Sequence, residues 1–322
     1  MTNHLNRSEF EVKIHTIKPE RSTLHGSFSK DFEPIITIES GETLHISTLE
    51  AAWGLEPHRK DRQRKRFEPR ENPIDQGHAM IGPISINGAE PGMALEIQIN
   101  DIRPGSWGWT SAGGFPSENN NRLGLAEGEE YHLNWQLDTE QMVGTSNKGH
   151  QVTMSPFMGI MGMPPDESGI HSTSPPRYCG GNIDCKELVA GSTLYLPISV
   201  SGGLFSVGDG HAVQGDGEVA SPALECPMEH VSLTLSVRDD VKIDFPRAKT
   251  PTGWVTMGFD EDLNEATMIA LDGMLSLMME LLEMERKEAM ALASLVVNLR
   301  ITQTVNGVKG VHAHLPHGAI RK

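Results

Sequence analysis

Apolar and polar residues alternate in short runs along most of the chain, and this pattern predicts β-strands. Residues 33–51 carry two such runs on either side of Ser40-Gly41, which predicts a β-hairpin. Residues 82–102 repeat the arrangement around a glycine-rich turn at 88–92. The other alternations predict further strands within residues 193–209, 231–237 and 241–245. The 33 glycines and 20 prolines suit many short strands joined by turns.

The apolar period changes after Asp260. From there apolar residues recur at helical spacing, at Leu263, Ala266, Ala270, Met274, Leu277 and Leu281. A second helix is predicted over about residues 287–297, and the methionines between 274 and 284 suit core packing or a subunit contact. Asn306-Gly307 then predicts the turn of a terminal β-hairpin.

The predicted fold is mainly β with an α+β C-terminal portion: a sandwich- or barrel-like body, a helical pair and a hairpin. We expect a β-rich body over residues 1–258 that carries the functional site, with residues 259–322 packed on the same core. Two segments lack periodicity. Residues 113–130 are predicted to be an exposed loop with a tendency to disorder, and residues 154–177 a long loop lining a cleft.

Charge and cysteine content narrow the class of protein. A net charge of −16 argues against nucleic-acid binding, because phosphate would be repelled over most of the surface. The basic run His58–Arg66 has no interleaved aromatic residues and is interpreted as a solvated loop or lid. Three cysteines, no apolar leader in residues 1–15 and no membrane-length apolar run predict a cytoplasmic protein without disulfides or a membrane span.

The densest candidate chemistry lies at residues 208–218, with the sequence GDGHAVQGDGE. Asp209 and His211 are two residues apart, as are Asp216 and Glu218, and so would share a strand face. Upstream, Asn182 and Asp184 have the same spacing within CGGNIDC. Carboxylates with an imidazole can bind a divalent cation or act as acid and base. An ordinary solvated acidic turn remains the alternative.

Other candidate residues carry less weight. Cys179 could be a nucleophile, but no base lies near it in the sequence, and a buried structural thiol is favoured. His78 precedes a predicted strand, where an isolated histidine is more often structural than a ligand. His312 and His314 share a strand face near the C-terminus, where we expect surface residues without a metal.

Three stretches in order, at residues 82–99, 180–225 and 299–316, resemble the acetamidase/formamidase family. The resemblance covers most of the chain. It implies an oligomeric enzyme, with a dimer favoured, that hydrolyses a short amide to a carboxylate and ammonia; related members act on cyclic amides. The family's characteristic positions fall here on Asn182, Asp184, Asp209, His211, Gln214, Asp216, Glu218 and His78.

The hypothesis that follows is a metal-activated water with a carboxylate base. The candidate metal ligands are Asp184, Asp209, His211 and His78, with zinc the first candidate and calcium or another divalent cation the alternative. Glu218 is the candidate base and acid, Asp216 could exchange roles with Asp209, and Gln214 or Asn182 could donate to the oxyanion.

This chain departs from the family at two positions. Met93 and Asn298 stand where many members have aspartate, which leaves the preferred amide open. Two other classes remain alternatives. A cupin-like metal enzyme is disfavoured because only His211 precedes Glu218 in the motif. A non-catalytic protein that binds small molecules would use the same carboxylates as hydrogen-bond acceptors.

Overall fold

The computed structural model describes residues 13–59 and 63–321. Its strands and helices are numbered in chain order. Nine strands form the largest sheet: β1 (Ile14–Ile17), β4 (Glu42–Ile46), β6 (Ala94–Pro104), β14 (Thr193–Pro197), β16 (Met228–Arg238), β17 (Arg247–Lys249), β18 (Gly253–Asp260), β19 (Asn298–Gln303) and β20 (Lys309–Pro316). Their spatial order is β1-β4-β16-β6-β14-β17-β18-β20-β19.

A second sheet contains seven strands: β2 (Leu24–His25), β3 (Ile36–Ile38), β5 (Met80–Ile86), β11 (Phe157–Gly162), β12 (Pro176–Arg177), β13 (Gly180–Asn182) and β15 (Phe205–His211). Their order is β12-β13-β11-β15-β5-β2, with β3 parallel to β5. A third sheet is a meander of four: β7 (Trp107–Ala112), β8 (Tyr131–Asp138), β9 (Val143–Ser146) and β10 (Gln151–Thr153).

One apolar core joins the two larger sheets. Leu44, Ile97 and Leu233 come from the nine-stranded sheet, and Ile84 and Phe205 from the seven-stranded sheet; all five are essentially inaccessible to solvent and belong to one cluster. Two sheets that bury their inner faces against each other form a sandwich. The predicted sandwich-like body is thereby confirmed.

The helices are α1 (Glu118–Leu123), α2 (Leu263–Leu282) and α3 (Arg286–Val296). The helical pair α2–α3 and the hairpin β19–β20 confirm the predicted C-terminal elements. Asp262 caps α2 by accepting from the backbone N–H of Asn264. α2 packs directly on β18: a Cβ on Gly258 would lie 2.1 Å from the carbonyl oxygen of Ala266, so only glycine permits this approach.

Three strand predictions are wrong. The two runs within residues 82–102 do not pair with each other, because β5 lies in the seven-stranded sheet and β6 in the nine-stranded sheet. The segments around Ser40-Gly41 do not pair as a hairpin, because β3 lies in the seven-stranded sheet while β4 pairs with β1 and β16 in the other. Residues 241–245 form no strand. The sheet offers them no free edge there, since β16 is flanked by β4 and β6, and β14 by β6 and β17.

The two irregular segments contain more regular secondary structure than predicted. Residues 113–130 contain α1, capped by Ser117. Residues 154–177 contain β11, which pairs with both β13 and β15 at the centre of the seven-stranded sheet. The sequence Phe-Met-Gly-Ile-Met-Gly does not reveal this strand, because all six residues are buried and apolar and polar positions therefore do not alternate along it.

The basic run is partly buried. Its residues 60–62 lie outside the described residues, as do residues 1–12 at the N-terminus. The Arg64 side chain is only 4% exposed and donates to the carboxylate of Glu50, which is wholly buried, at 2.9 Å. A solvated loop is therefore the wrong description of Arg64, because a buried carboxylate holds its guanidinium inside the protein.

The three cysteines are buried and none is in a disulfide. Burial raises the pKa of Cys179 to about 11, which disfavours a nucleophilic thiolate at neutral pH. His312 and His314 are buried rather than at the surface, on a strand that lies inside the sheet between β18 and β19. No helix in the described part of the chain combines the length and apolarity needed to cross a membrane.

We expect stability to fall as the pH drops below about 6.5, in part through His25. Burial lowers the pKa of His25 to about 4. The positive charge of Arg21 lowers this pKa further, and the negative charge of Asp75 opposes the shift. The pKa of His25 is 6.5 in the unfolded chain and about 4 in the folded protein. Between these two values the unfolded chain binds a proton that the folded protein excludes, so acid favours unfolding. The loss from about pH 7 to about pH 5 is roughly 2 kcal/mol.

Urea unfolding of the wild type and His25→Gln at both pH values measures this effect. The variant should be less stable near neutrality, because His25 bonds to the Ser27 carbonyl oxygen and the Ser206 hydroxyl. Its stability should nevertheless depend less steeply on pH. An equal pH dependence in both proteins would contradict the assignment.

Candidate active site

Four carboxyl groups surround the imidazole of His211 at one end of the seven-stranded sheet. Asp209 and His211 belong to β15, and Asp184 follows β13. Glu218 and Glu225 lie on the segment after β15. All five residues are at least 94% buried. We call these five residues the acidic cluster.

The imidazole stands between two of the carboxylates. His211 Nε2 lies 3.3 Å from Asp209 Oδ1 and 3.2 Å from Glu225 Oε1. Two sets of ligand atoms, Asp184–His211–Glu218 and Asp209–His211–Glu225, each lie within 4.8 Å of one another. The ligand atoms of each set are close enough together to hold a cation.

Gln214 determines the orientation of the imidazole. Its Nε2 faces two backbone carbonyls, donating to Asp184 at 2.8 Å and lying 3.4 Å from the Thr302 oxygen. Its Oε1 therefore accepts from His211 Nδ1, at 3.0 Å. Since Nδ1 carries a hydrogen, Nε2 is directed at the carboxylates, as in metal-binding histidines whose other nitrogen donates to a second group.

Three acidic residues of the cluster have a strained backbone. The φ angles are 51° at Asp184, 59° at Asp209 and 45° at Glu218, in the left-handed region that residues with a side chain rarely adopt. Such conformations persist only where the surroundings enforce them, and they concentrate at functional sites. Each of these three residues places a carboxylate oxygen within 4.8 Å of a His211 ring nitrogen.

The carboxyl groups cannot all be ionised when no cation compensates them. Burial and the charge of Asp209 raise the pKa of Asp184 to about 7. Burial and nearby carboxylates likewise raise the pKa of Glu225 to about 8 and hold that of Glu218 well above its usual range. Burial opposes the charged forms of Asp209 and His211 too, but their mutual attraction outweighs it, keeping the Asp209 pKa low and the His211 pKa high.

Several buried polar atoms of this site have no hydrogen-bond partner: Asn182 Oδ1, Asp184 Oδ1, His211 Nε2, Glu218 Oε2 and Glu225 Oε2. Leaving one buried polar atom unpaired costs roughly 1–3 kcal/mol. Five such atoms in one place indicate that the site is built to bind something polar.

A cavity of about 540 Å³ opens onto the acidic cluster. Asp209, Glu218 and Glu225 form its acidic wall, and Trp109 and Phe115 add aromatic surface. The Trp109 indole is fixed because Nε1 donates to Glu50 at 2.7 Å and the Arg64 guanidinium lies 5.5 Å from the ring centroid. No lysine or arginine lines the cavity within residues 13–59 and 63–321.

The remaining candidate residues lie around the acidic cluster or apart from it. Asn182 and His78 line the cavity. The Asn182 side chain donates to the Ser174 carbonyl oxygen at 3.1 Å, and His78 Nδ1 lies 2.7 Å from the Thr173 hydroxyl. Asp216 is at the surface, paired with Lys186 at 3.0 Å. The left-handed Gly217 and Glu218 break the strand alternation that placed Asp216 and Glu218 on one face.

The Acetamidase/Formamidase family model matches residues 12–172 and 168–316, nearly the whole chain. The chain belongs to the acetamidase/formamidase family. This confirms the resemblance identified in residues 82–99, 180–225 and 299–316.

Individual acetamidase/formamidase relatives are distant in sequence. The formamidase of Methylophilus methylotrophus is 24% identical over 61% of this chain and 59% of its own length. The acetamidase of Mycolicibacterium smegmatis is 24% identical over 61% of each protein. The matches thus span about three fifths of these relatives' lengths. The crystal structure of an acetamidase from Bacillus halodurans aligns with a TM-score of 0.80 at 26% identity, covering 94% of this chain and 97% of that one.

Sequence reasoning missed two residues of the candidate site. Glu225 lies at the end of the family-like stretch, but the sequence does not reveal that its backbone pairs with both Trp109 and His211 and so joins two sheets. Asn306 lies in the β19–β20 turn and donates to Asp184 Oδ2 at 2.8 Å. An Asn-Gly pair predicts a turn without indicating what the asparagine side chain contacts.

Proposed function

We propose that this protein hydrolyses a short-chain amide to a carboxylate and ammonia. The observation that carries the proposal is the acidic cluster, with its unpaired buried atoms facing a cavity, in a member of the acetamidase/formamidase family. Relatives named formamidase and acetamidase support the same reaction class. Amides resist hydrolysis because water is a weak nucleophile and an amine a poor leaving group. The site must therefore both activate water and protonate nitrogen.

The acidic cluster fits a divalent cation. His211 Nε2 and Asp184 Oδ1 are buried without a hydrogen-bond partner, and Gln214 fixes the tautomer that leaves Nε2 available. We propose that His211, Asp184, Asp209 and Glu225 hold the cation, and zinc suits their nitrogen and oxygen atoms. When bound, such an ion lowers the pKa of water and polarises a carbonyl.

Glu218 is the proposed proton carrier. It lines the cavity, and burial together with the Asp184 charge raises its pKa well above the usual range. A carboxyl group with a raised pKa can accept the proton of attacking water and then give it to the departing nitrogen. Asp216 has no part in this proposal because it faces solvent and Lys186.

Asn182 and His78 are proposed to orient the amide. Because the Asn182 amide nitrogen donates to Ser174, its unpaired Oδ1 is left to accept a hydrogen from the substrate nitrogen. The Thr173 hydroxyl accepts from the His78 backbone N–H at 3.0 Å, so it can donate to Nδ1 and leave Nε2–H for the substrate oxygen. Gln214 is unsuited to stabilise an oxyanion, since its amide group is directed at backbone carbonyls.

The deciding experiment is ammonia release from formamide and acetamide, with metal analysis of the same sample. We expect about one divalent ion per chain, loss of activity on complete chelation, and recovery on adding Zn²⁺. Activity that survives metal removal would instead indicate a metal-free hydrolase. Binding of amides without any ammonia release would indicate a non-catalytic binding protein.

A further inference from the structure

The turn between β19 and β20 reaches the acidic cluster from a distant part of the chain. Asn306, 122 residues after Asp184, donates through Nδ2 to Asp184 Oδ2 at 2.8 Å. The same asparagine lines the cavity. A side chain that both faces the cavity and bonds to a cluster carboxylate is positioned to affect the chemistry.

The bond determines which Asp184 oxygen faces the other members of the cluster. Oδ2 is occupied by Asn306, while Oδ1 has no hydrogen-bond partner. Asp184 Oδ1 and Asp209 Oδ2 both lie within 3 Å of the point that a Cβ on Gly159 would occupy. Oδ1 is therefore directed toward Asp209, and Asn306 keeps it there.

Gln303 holds the turn in this conformation. It is wholly buried, its Oε1 accepts from the backbone N–H groups of Val305 and Asn306 at 2.9 and 3.2 Å, and its Nε2 donates to the Val308 carbonyl oxygen at 2.7 Å. The Gln303 side chain thus forms hydrogen bonds with backbone groups on both sides of the turn. Such bracing limits the positions that Asn306 can adopt.

The same segment also holds the backbone beside Glu218. Gly217 N donates to the Thr302 oxygen at 3.1 Å, and Thr304 N donates to the Gly217 oxygen at 3.1 Å. Gly217 and Gln303 form a parallel bridge. One short segment therefore contacts Asp184 through a side chain and the neighbour of Glu218 through its backbone.

We propose that Asn306 is a positioning residue for the reaction, held by Gln303, so that the β19–β20 turn forms part of the active site. This inference rests on the proposed function, in which Asp184 is a metal ligand and Glu218 carries the proton. Asn306 acts by directing Asp184 Oδ1, and it forms no bond with the reacting atoms.

The test compares Asn306→Ala and Asn306→Asp with the wild type in three measurements: Zn²⁺ affinity by chelator competition, the visible spectrum of the Co²⁺-substituted protein, and steady-state kinetics. Loss of an outer hydrogen bond to a metal ligand typically costs 10–100-fold in affinity or activity. We expect Asn306→Ala to lower Zn²⁺ affinity and kcat about tenfold each, with KM within about twofold and an altered Co²⁺ spectrum. Asn306→Asp should be more severe, because it places two carboxylates against each other.

Asn87→Ala is the matched control. Asn87 also donates through Nδ2 to a carboxylate, that of Glu39, but does so at the surface away from the cavity. This variant should match the wild type in all three measurements. Wild-type zinc affinity and Co²⁺ spectra in both Asn306 variants would overturn the inference, even if their melting temperatures fell.

Failure of the proposed reaction would look different. A wild type that binds Zn²⁺ but releases no ammonia from any amide would overturn the reaction, while the metal measurements would still decide the role of Asn306. A wild type that binds neither Zn²⁺ nor Co²⁺ would overturn the metal site and this inference together.

Discussion

Glu218→Gln is expected to stop ammonia release while leaving the fold and metal binding intact. Glutamine has the same shape but cannot take a proton from water, and general acid–base groups contribute roughly a hundredfold to ten-thousandfold in rate. Glu218 Oε2 is buried and has no hydrogen-bond partner, so the substitution removes the group that can exchange a proton and keeps the shape of the side chain. We expect kcat to fall by at least about a hundredfold.

Two comparisons make the result specific. Glu130→Gln removes another carboxyl group that lines the cavity, one whose side chain is 39% exposed and paired with His132, and should retain activity. Glu225→Gln should lower Zn²⁺ affinity, because Glu225 is a proposed ligand. Full activity in Glu218→Gln would remove Glu218 from the mechanism. Loss of zinc from Glu218→Gln, with Glu225→Gln unaffected, would make Glu218 the ligand instead.

The sequence predicted both long helices and fewer than half of the strands in the described residues, and it did not predict how the strands assemble. Periodicity reports which side of an element is buried, and this suffices for α2 and α3. The partner with which a strand pairs depends on whether the preceding turn leads the chain back along the same sheet or across to the other sheet. The connections between β3 and β4, β5 and β6, and β14 and β15 each pass from one large sheet to the other. Their glycine-rich turns resemble hairpin turns, so local sequence could not distinguish a crossing from a hairpin.

Part of the candidate site could be predicted because its residues lie close together in sequence. Asp209, His211 and Glu218 share one short stretch, and the structure brings them together with Asp184. The prediction failed to separate Asp216 from Glu218, since alternation does not survive two successive left-handed residues. Asn306 and Glu225 reach the site through long-range pairing, which one sequence does not reveal.

Gly159 shows how a residue without a side chain can shape the site. It lies in β11, and its carbonyl oxygen accepts from the backbone N–H groups of Ile183 and Asp184. A Cβ at this position would lie 2.6 Å from Asp209 Oδ2, 2.8 Å from Asp184 Oδ1 and 3.0 Å from His211 Cε1. The space above Gly159 is therefore already occupied by three members of the acidic cluster.

Gly159→Ala is expected to lower kcat about a hundredfold, because displacements of about 1 Å in a catalytic site cost this much. Zn²⁺ affinity should also fall, since the added methyl group displaces three of the proposed ligands. Overpacking should reduce the stability to unfolding by about 2 kcal/mol. Ammonia release, chelator competition and urea unfolding measure the three effects on one protein preparation.

Gly215→Ala tests whether the effect at Gly159 is specific. Gly215 lies within the site segment between His211 and Glu218, yet a Cβ there would meet no atom within 4 Å and its backbone is not left-handed. This variant should keep wild-type activity and zinc affinity. If Gly159→Ala also kept wild-type activity and zinc affinity, the carboxyl groups would have to move away from the added methyl group without losing function. The close packing of Asp184, Asp209 and His211 would then have no part in metal binding or catalysis.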